Sequence, residues 1–231
     1  MTYIRIYLNS AIIENSNLVI AGDDFFYLKN VMRIKAGKII KIFNERDGEF
    51  FAVVKEAGKR EIILEASEKI RDIKSEKLDI IHLFVSPLRQ SRMSWLVEKC
   101  VELGVKEITP VRMQNTAFDM DFAKAELIIK EATEQCERLS KLKINPVIKL
   151  DEFLDLKIDF IYLKERDEKS KTLKEVDKQN IKNIMVGPEG GFDKQELEKL
   201  ESSIGIPVWL GQLILRAETA AIKAISVLSD V

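Results

Sequence analysis

The chain has 231 residues, 46% hydrophobic and 32% charged, which suits a soluble globular protein of one large or two small domains and excludes a disordered one. Its formal net charge of −1 argues against broad non-specific nucleic-acid binding but leaves a local basic face open. No apolar run approaches the ~18 residues of a membrane span, and Met1–Asn15 lack the basic start and apolar segment of a signal peptide, so neither is expected.

Residues 2–67 read as mostly strand. Tyr3–Leu8 and Lys38–Phe43 alternate or run apolar, Asn44–Gly48 carries turn chemistry, and Glu49–Lys55 and Glu61–Glu65 continue the pattern. Between the first two strands, Asp23–Met32 predicts a short helix that presents Arg33. Short strands with many turns make this a small barrel-like β module. Residues 67–78 are dense in charges of both signs and read either as the linker between two domains or as a solvated helix.

From Asp79 the period changes. Ile80–Val85 is a continuous apolar run of the buried, parallel-sheet type. Ser86–Ser91 reads as a loop, with Arg89 and Arg92 beside it. Met93, Leu96, Val97, Cys100 and Val101 recur at helical spacing up to Gly104. Lys106–Val111 is the next strand, Ala125 to Leu139 marks a second helix face, and Asp159–Leu163 is a third strand. Strands alternating with helices predict an α/β domain with a mostly parallel sheet, and a ligand site at the carboxyl ends of its strands. Cys100 and Cys136 fall on the apolar helix faces and read as buried free thiols of a reducing compartment. His82, the single histidine, lies in an apolar strand and reads as structural, which disfavours a Ser-His-Asp triad and a zinc site.

The stretch Met185–Ala221 carries the densest chemistry. Asn183–Val186 is a short apolar strand, and Gly187-Pro188-Glu189-Gly190-Gly191 commits the backbone to a tight, partly left-handed path. Asp193 with Glu196 three residues on is a capping-box start for a helix over Lys194–Ser203. The arrangement repeats: Pro207–Leu210 is a strand, Gly211 breaks it, and a helix follows from about Glu218. Two such loops on neighbouring strand ends predict one pocket. Neither loop is a phosphate cradle, since Gly-Lys-Ser/Thr and Gly-x-Gly-x-x-Gly are both absent.

Six segments, in this order, resemble one family. They are Val31-Met32-Arg33, Arg89–Met93, Glu98–Val105 with Ile108-Thr109-Pro110, Glu131–Arg138, Gly187–Gly191 and Leu215–Ala220. The chain is similar to the RsmE-type methyltransferases of the SPOUT superfamily, which methylate N3 of a uridine in 16S ribosomal RNA. The resemblance implies a PUA-like β-barrel RNA-binding domain over residues 1–70 and a SPOUT-type knotted α/β methyltransferase domain over 74–231. It also implies a cytoplasmic homodimer, S-adenosyl-L-methionine as cofactor, no metal, and the small ribosomal subunit as partner. Three positions depart from the family pattern: Phe26 and Tyr27 stand where a histidine is usual, Leu213 where an arginine is usual, and Glu137–Lys141 replace a Gly-Arg segment and a proline.

The implied reaction moves a methyl from a sulfonium to a ring nitrogen in line, a task of positioning and of excluding water. The cofactor would be held by Leu163, by Val186, Gly187, Pro188, Glu189, Gly190 and Gly191, and by Leu210, Gly211, Leu213 and Leu215. Ala217, Thr219 and Ala220 would close the pocket. Arg216 is the candidate for stabilising the negative charge that develops on uracil once N3 loses its proton. Glu189 is left with two roles, orienting Arg216 or acting as the base. Arg5, Arg33, Arg89, Arg92 and Arg138 are the candidate RNA phosphate contacts. Two other readings stay open: a SPOUT enzyme acting on another RNA, and a non-catalytic ribosome assembly factor.

Overall fold

A computed structural model describes residues 3–78 and 80–229. Asp79, where the sequence pattern changes period, lies outside them. The chain divides into two compact units, one of residues up to Lys77 with Thr133–Lys141, the other of Leu78–Ala132 and Leu142 onward.

The first unit is a five-stranded sheet. Its elements are β1 (Arg5–Tyr7), β2 (Asn17–Ile20), α1 (Gly22–Phe26), β3 (Ile39–Asn44), β4 (Gly48–Ala57) and β5 (Ile62–Arg71). The order is β1-β3-β4-β5-β2, with β1 parallel to β3 and the remaining pairs antiparallel. Ile6, Ile20, Ile40, Ile42, Ala52 and Leu64, drawn from all five strands, share one buried cluster with Phe25 and Leu28. A sheet that buries one face of every strand in a single core is barrel-like in the physical sense. α1 begins with Asp23 and Asp24 in its first turn, where carboxylates suit the helix dipole, and passes into a π turn over Tyr27–Val31. Arg33 follows, exposed and at φ 49°.

The expected linker over 67–78 is corrected here. β5 runs on to Arg71, paired through Phe50↔Lys69 and Glu49↔Arg71, and a 3-10 turn occupies Ile73–Ser75. The mixed charges that suggested a linker are used inside the unit: Lys69 pairs with Asp72 at 2.6 Å, and Arg71 donates to the Glu137 carbonyl at 2.7 Å. Two arginines also change role. Arg5 is 7% exposed, with Nε 2.5 Å from the buried Glu49 carboxylate, its two other nitrogens on the carbonyls of Thr133 and Arg138, and its guanidinium 3.4 Å above the Phe43 ring. Burial pulls its pKa down, and Glu49 opposes that shift. Arg138 is 6% exposed, with Nε on Ser140. Both side chains are buried where the segment Thr133–Lys141, which carries Arg138, packs over Arg5, so neither is open to a phosphate.

The second unit is a parallel sheet with helices. Its elements are β6 (His82–Val85), α2 (Gln90–Glu102), β7 (Glu107–Arg112), α3 (Phe122–Gln135), β8 (Lys143–Ile144), β9 (Ile148–Lys149), α4 (Leu150–Leu154), β10 (Ile161–Leu163), β11 (Lys171–Thr172), β12 (Asn183–Val186), α5 (Lys194–Glu201), β13 (Ile206–Trp209) and α6 (Ala217–Leu228). The last turn of α3, from Thr133, belongs with the first unit. The strand order is β11-β13-β10-β12-β6-β7-β8, with β9 also on β7, and every pair is parallel. β10, and β6 and β12 past their first residue, are wholly buried, which is why they read as apolar runs. Helix α2 buries Met93, Leu96, Val97, Cys100 and Val101 and stops at Gly104, whose φ of 74° suits the left-handed C-terminal turn.

Three local expectations need adjusting. α2 starts at Gln90, so Ser91 and Arg92 belong to its first turn and not to the preceding loop. Ile80 is exposed and β6 begins only at His82. Cys136 lies just beyond α3 and is half-buried, whereas Cys100 is buried as expected. His82 is structural: its Nε2 lies 2.7 Å from the Thr109 hydroxyl and its ring stacks on Phe84 with centroids 3.9 Å apart. No helix among the described residues is long and apolar enough to cross a membrane.

Candidate active site

The glycine loop leaves β12 at Gly187 and is held from three sides. The Phe192 ring packs 3.0 Å from where a Cβ on Gly187 would stand, so this position admits no side chain without a shift. Gly191, at φ 75°, donates its N–H to the Pro188 carbonyl at 2.8 Å and closes the turn. Asp193 and Glu196 form the capping box read from the sequence, each carboxylate accepting the other's N–H, at 2.8 and 3.0 Å. The second oxygen of Glu196 accepts the Gln114 N–H at 2.7 Å, and Asn115 donates to the Gly191 carbonyl at 3.0 Å. The loop after β7 therefore clamps the glycine loop, a contact that local sequence does not carry.

The second loop leaves β13 after Trp209. Gly211 has φ 117°, a backbone region that side chains rarely allow, and its only close neighbour is Lys223 Nζ at 4.0 Å. Lys223 of α6 donates to the Leu210 carbonyl at 2.6 Å and ties this loop to the helix that follows. Arg216 caps α6, and its carbonyl accepts the Ala220 N–H at 2.8 Å.

Both loops and the segment after β10 line one cavity of about 1250 Å³. Leu163, Val186, Gly187, Pro188, Glu189, Gly191, Leu210, Gly211, Leu213, Leu215, Arg216, Ala217 and Ala220 all border it. Gly190 and Thr219 do not: Gly190 packs against Asn115, and Thr219 is exposed on α6. Gln212 and Ile214, within the expected Leu210–Leu215 stretch, border the cavity too, and the charged arm Lys164–Lys169, Phe192, Leu197 and Trp209, which the sequence does not single out, add to the wall. Within the arm, Glu201 and Asp167 grip the Lys164 ammonium at 2.8 and 3.0 Å and raise its pKa.

The charges are distributed differently from the sequence reading. Arg92 borders the cavity, with Nη1 2.7 Å from Glu189 and Nε 3.8 Å from Glu218. With its charge shared between two carboxylates and its side chain only 28% exposed, Arg92 is less suited to a phosphate contact than the sequence suggests. Glu189 correspondingly orients toward Arg92 and not Arg216. Arg216 is exposed at the cavity and makes no ion pair among the described residues. Glu218 is 6% exposed, which rules out a solvated carboxylate at the helix start. Arg33 and Arg89 remain exposed.

The residues fit a small organic ligand without phosphates. Bare backbone at Gly191, with nothing within 4 Å of a notional Cβ, and at Gly211 lets amides approach a ligand closely. Leu163, Val186, Leu210 and Leu215 give apolar walls, and Glu189 gives one carboxylate acceptor. The volume exceeds the ~300–1,000 Å³ of an ordinary small-molecule site, leaving room for a second reactant.

Comparison with known proteins agrees with this geometry. The RNA methyltransferase domain family matches residues 74–229, and the RNA methyltransferase PUA domain family matches 20–67. The chain is 32% identical to the ribosomal RNA small subunit methyltransferase E of Rickettsia conorii, an alignment covering 98% of this chain and 95% of that protein. It is 31% identical to the protein of the same name from Buchnera aphidicola subsp. Schizaphis graminum, over 97% and 94%. Among solved structures, a Legionella pneumophila methyltransferase in complex with S-adenosylmethionine matches at TM-score 0.89 and 27% identity over the whole of both chains. The Neisseria gonorrhoeae ribosomal RNA small subunit methyltransferase E, bound to S-adenosylmethionine, matches at TM-score 0.85 and 26% identity over 97% of this chain and 96% of that one. With a PUA domain ahead of a parallel α/β domain whose two glycine loops enclose one cavity, the chain belongs to the RsmE-type RNA methyltransferases.

Proposed function

We propose that the protein transfers a methyl group from S-adenosylmethionine to N3 of a specific uridine in 16S ribosomal RNA, within the assembled small subunit. The observation that carries this reading is the cavity shared by the Gly187–Gly191 and Leu210–Leu215 loops, in a chain whose relatives hold S-adenosylmethionine and are named for the small-subunit RNA. When bound, the cofactor supplies an electrophilic methyl on sulfur. The two loops and Leu163 hold it, and Ala217 and Ala220 of α6 close the wall behind it.

The chain's task is to align the reactants and to manage charge. Uridine N3 carries a proton that must leave before or during attack, and the negative charge then spreads to the uracil oxygens. Arg216, at the cavity and without an ion pair, donates to those oxygens. Glu189 borders the cavity on the glycine loop and pairs with Arg92, which leaves acting as the base as the one of its two candidate roles carried into this reading. The N-terminal domain, residues 1–70, grips RNA through Arg33, and Arg89 adds a second phosphate contact. A net charge of −1 favours a shaped target over free RNA. The active form is a knotted homodimer in the cytoplasm.

The test is methyl transfer from labelled S-adenosylmethionine to unmodified small subunits, with free 16S RNA in parallel and nucleoside mass analysis of the product. 3-Methyluridine from subunits, lost in Arg216→Ala, is the expected result. Cofactor binding without transfer to either RNA would overturn the substrate assignment.

A further inference from the structure

The RAET segment at the start of α6 contains a carboxylate that neither pocket lining nor catalysis has used. Glu218 is 6% exposed, its Oε2 is buried with no hydrogen-bond partner among the described residues, and the one cation among them paired with it is Arg92, whose Nε lies 3.8 Å from Oε1. A buried carboxylate oxygen without a hydrogen bond carries a desolvation cost that an ion pair at this distance offsets only in part. The α6 N-terminus offsets some of the cost through its dipole.

Arg92 is equally out of place. It sits in the first turn of α2, where the helix dipole disfavours a cation and where no acidic residue is present. Two carboxylates hold it there. Nη1 meets Glu189 at 2.7 Å on the cavity side, and Nε faces Glu218 on the buried side. A guanidinium can serve both because its donors are fixed in one planar fork, which a lysine ammonium cannot reproduce. The three residues come from three separate elements: the glycine loop, α2 and α6.

We propose that Glu218 is a positioning residue that, through Arg92, fixes the carboxylate of Glu189 at the cavity wall. Glu218 does not border the cavity, and Arg92 and Glu189 do, so any influence of Glu218 on the reaction passes through the arginine. The inference rests on the methyltransferase reading and assigns to that site a support that no single segment of sequence shows. Arg92 without Glu218 keeps its contact with Glu189 but loses its second anchor, so the pair is less fixed in direction at the cavity wall. The backbone amides of the two loops, which that reading assigns to the cofactor, keep their places, so cofactor affinity changes less than kcat.

The test compares the wild-type protein with Glu218→Gln, Arg92→Lys and the double variant. Thermal unfolding is followed by circular dichroism, S-adenosylmethionine affinity by calorimetry, and kcat and KM by methyl transfer to unmodified small subunits. The expected outcome is about a tenfold fall in kcat for each single variant, with cofactor Kd within about twofold of wild type. The double variant falls no further than either single one, because both break the same relay. A Glu218→Gln protein that folds and retains wild-type kcat overturns the inference, as does a double variant whose loss is the product of the two single losses. If Glu218→Gln proves too unstable to assay, Arg92→Lys decides alone: a wild-type kcat there overturns the inference, and a fall in kcat at unchanged Kd supports it. Absence of 3-methyluridine from the wild-type reaction would overturn the function itself, a result separate from any difference among variants.

Discussion

Replacing Glu196 with alanine removes two acceptors at once, and the structure gives the size of the effect. One Glu196 oxygen caps the Asp193 N–H at 3.0 Å, and the other holds the Gln114 N–H at 2.7 Å from a side chain only 8% exposed. Hydrogen bonds to a charged acceptor contribute about 1.5–3 kcal/mol each, and water recovers part of that at partly buried donors, so the expected loss is about 2–4 kcal/mol. Glu196→Gln keeps one acceptor and should lose roughly half as much. Trp95 and Trp209, the two tryptophans of the chain, both lie in the second unit, so urea unfolding read by tryptophan fluorescence reports this unit alone. With an m of about 2 kcal/mol/M, the alanine midpoint should fall by about 1–2 M. The same deletion loosens the glycine loop from the β7 loop, where the Asn115–Gly191 hydrogen bond still ties them, and cofactor Kd should rise about 3–10-fold as the competent loop becomes a smaller fraction of the ensemble. A midpoint shift under about 0.5 M together with an unchanged Kd would refute the clamp.

Three further outcomes follow from particular residues. Burial lowers the His82 pKa from 6.5 to about 4, so between those values the unfolded chain binds a proton that the folded chain does not. Stability should therefore fall as pH drops from about 6.5 to 4, and His82→Phe should flatten that slope in urea titrations at several pH values. Arg33→Ala and Arg89→Ala should each reduce the salt dependence of RNA binding by about 0.7–0.9 in log–log slope, whereas Arg5→Met should leave the slope unchanged while lowering stability through the charge left on Glu49. Gly211→Ala forces a side chain onto φ 117°, costs about 1–3 kcal/mol of strain, and should weaken cofactor affinity more than it lowers the unfolding midpoint. Isothermal titration of Gly211→Ala beside wild type checks the last of these.

The second unit was more legible than the first because its strands are buried on both faces. β6 and β12 appear as unbroken apolar runs, and no choice of face had to be made. The Asp193–Glu196 box and the stop at Gly104 are local chemistry and were readable for the same reason. β2 was not, since Asn17–Ile20 has one fully buried residue and exposes Val19, so it carries little pattern. Two-residue strands such as β8, β9 and β11 exist only through their neighbours and have no period to find. The charged run over 67–78 is hard to read for a related physical reason: Lys69 meets Asp72 within the run and Arg71 meets the Glu137 carbonyl from far along the chain, and sequence shows only that they are charges.

The arginines make the limit clearest. Arg5, Arg33, Arg89, Arg92 and Arg138 carry the same guanidinium, and composition treats them alike. Arg5 and Arg138 are enclosed by a segment more than a hundred residues downstream of β1, so their donors meet Glu49, backbone carbonyls and Ser140. Arg92 meets carboxylates from the glycine loop and α6. Only Arg33 and Arg89 keep the exposure that a phosphate contact needs. Arg216 is the informative contrast. It lies one turn or less from Glu218 along the chain, yet the carboxylate turns inward to Arg92, and Arg216 has no ion-pair partner among the described residues at the cavity. An arginine already neutralised by a buried glutamate would have little left to offer a developing uracil anion. In the proposed mechanism, drawing Glu218 to Arg92 would serve two ends: holding Glu189 in place, and keeping Arg216 available for the substrate.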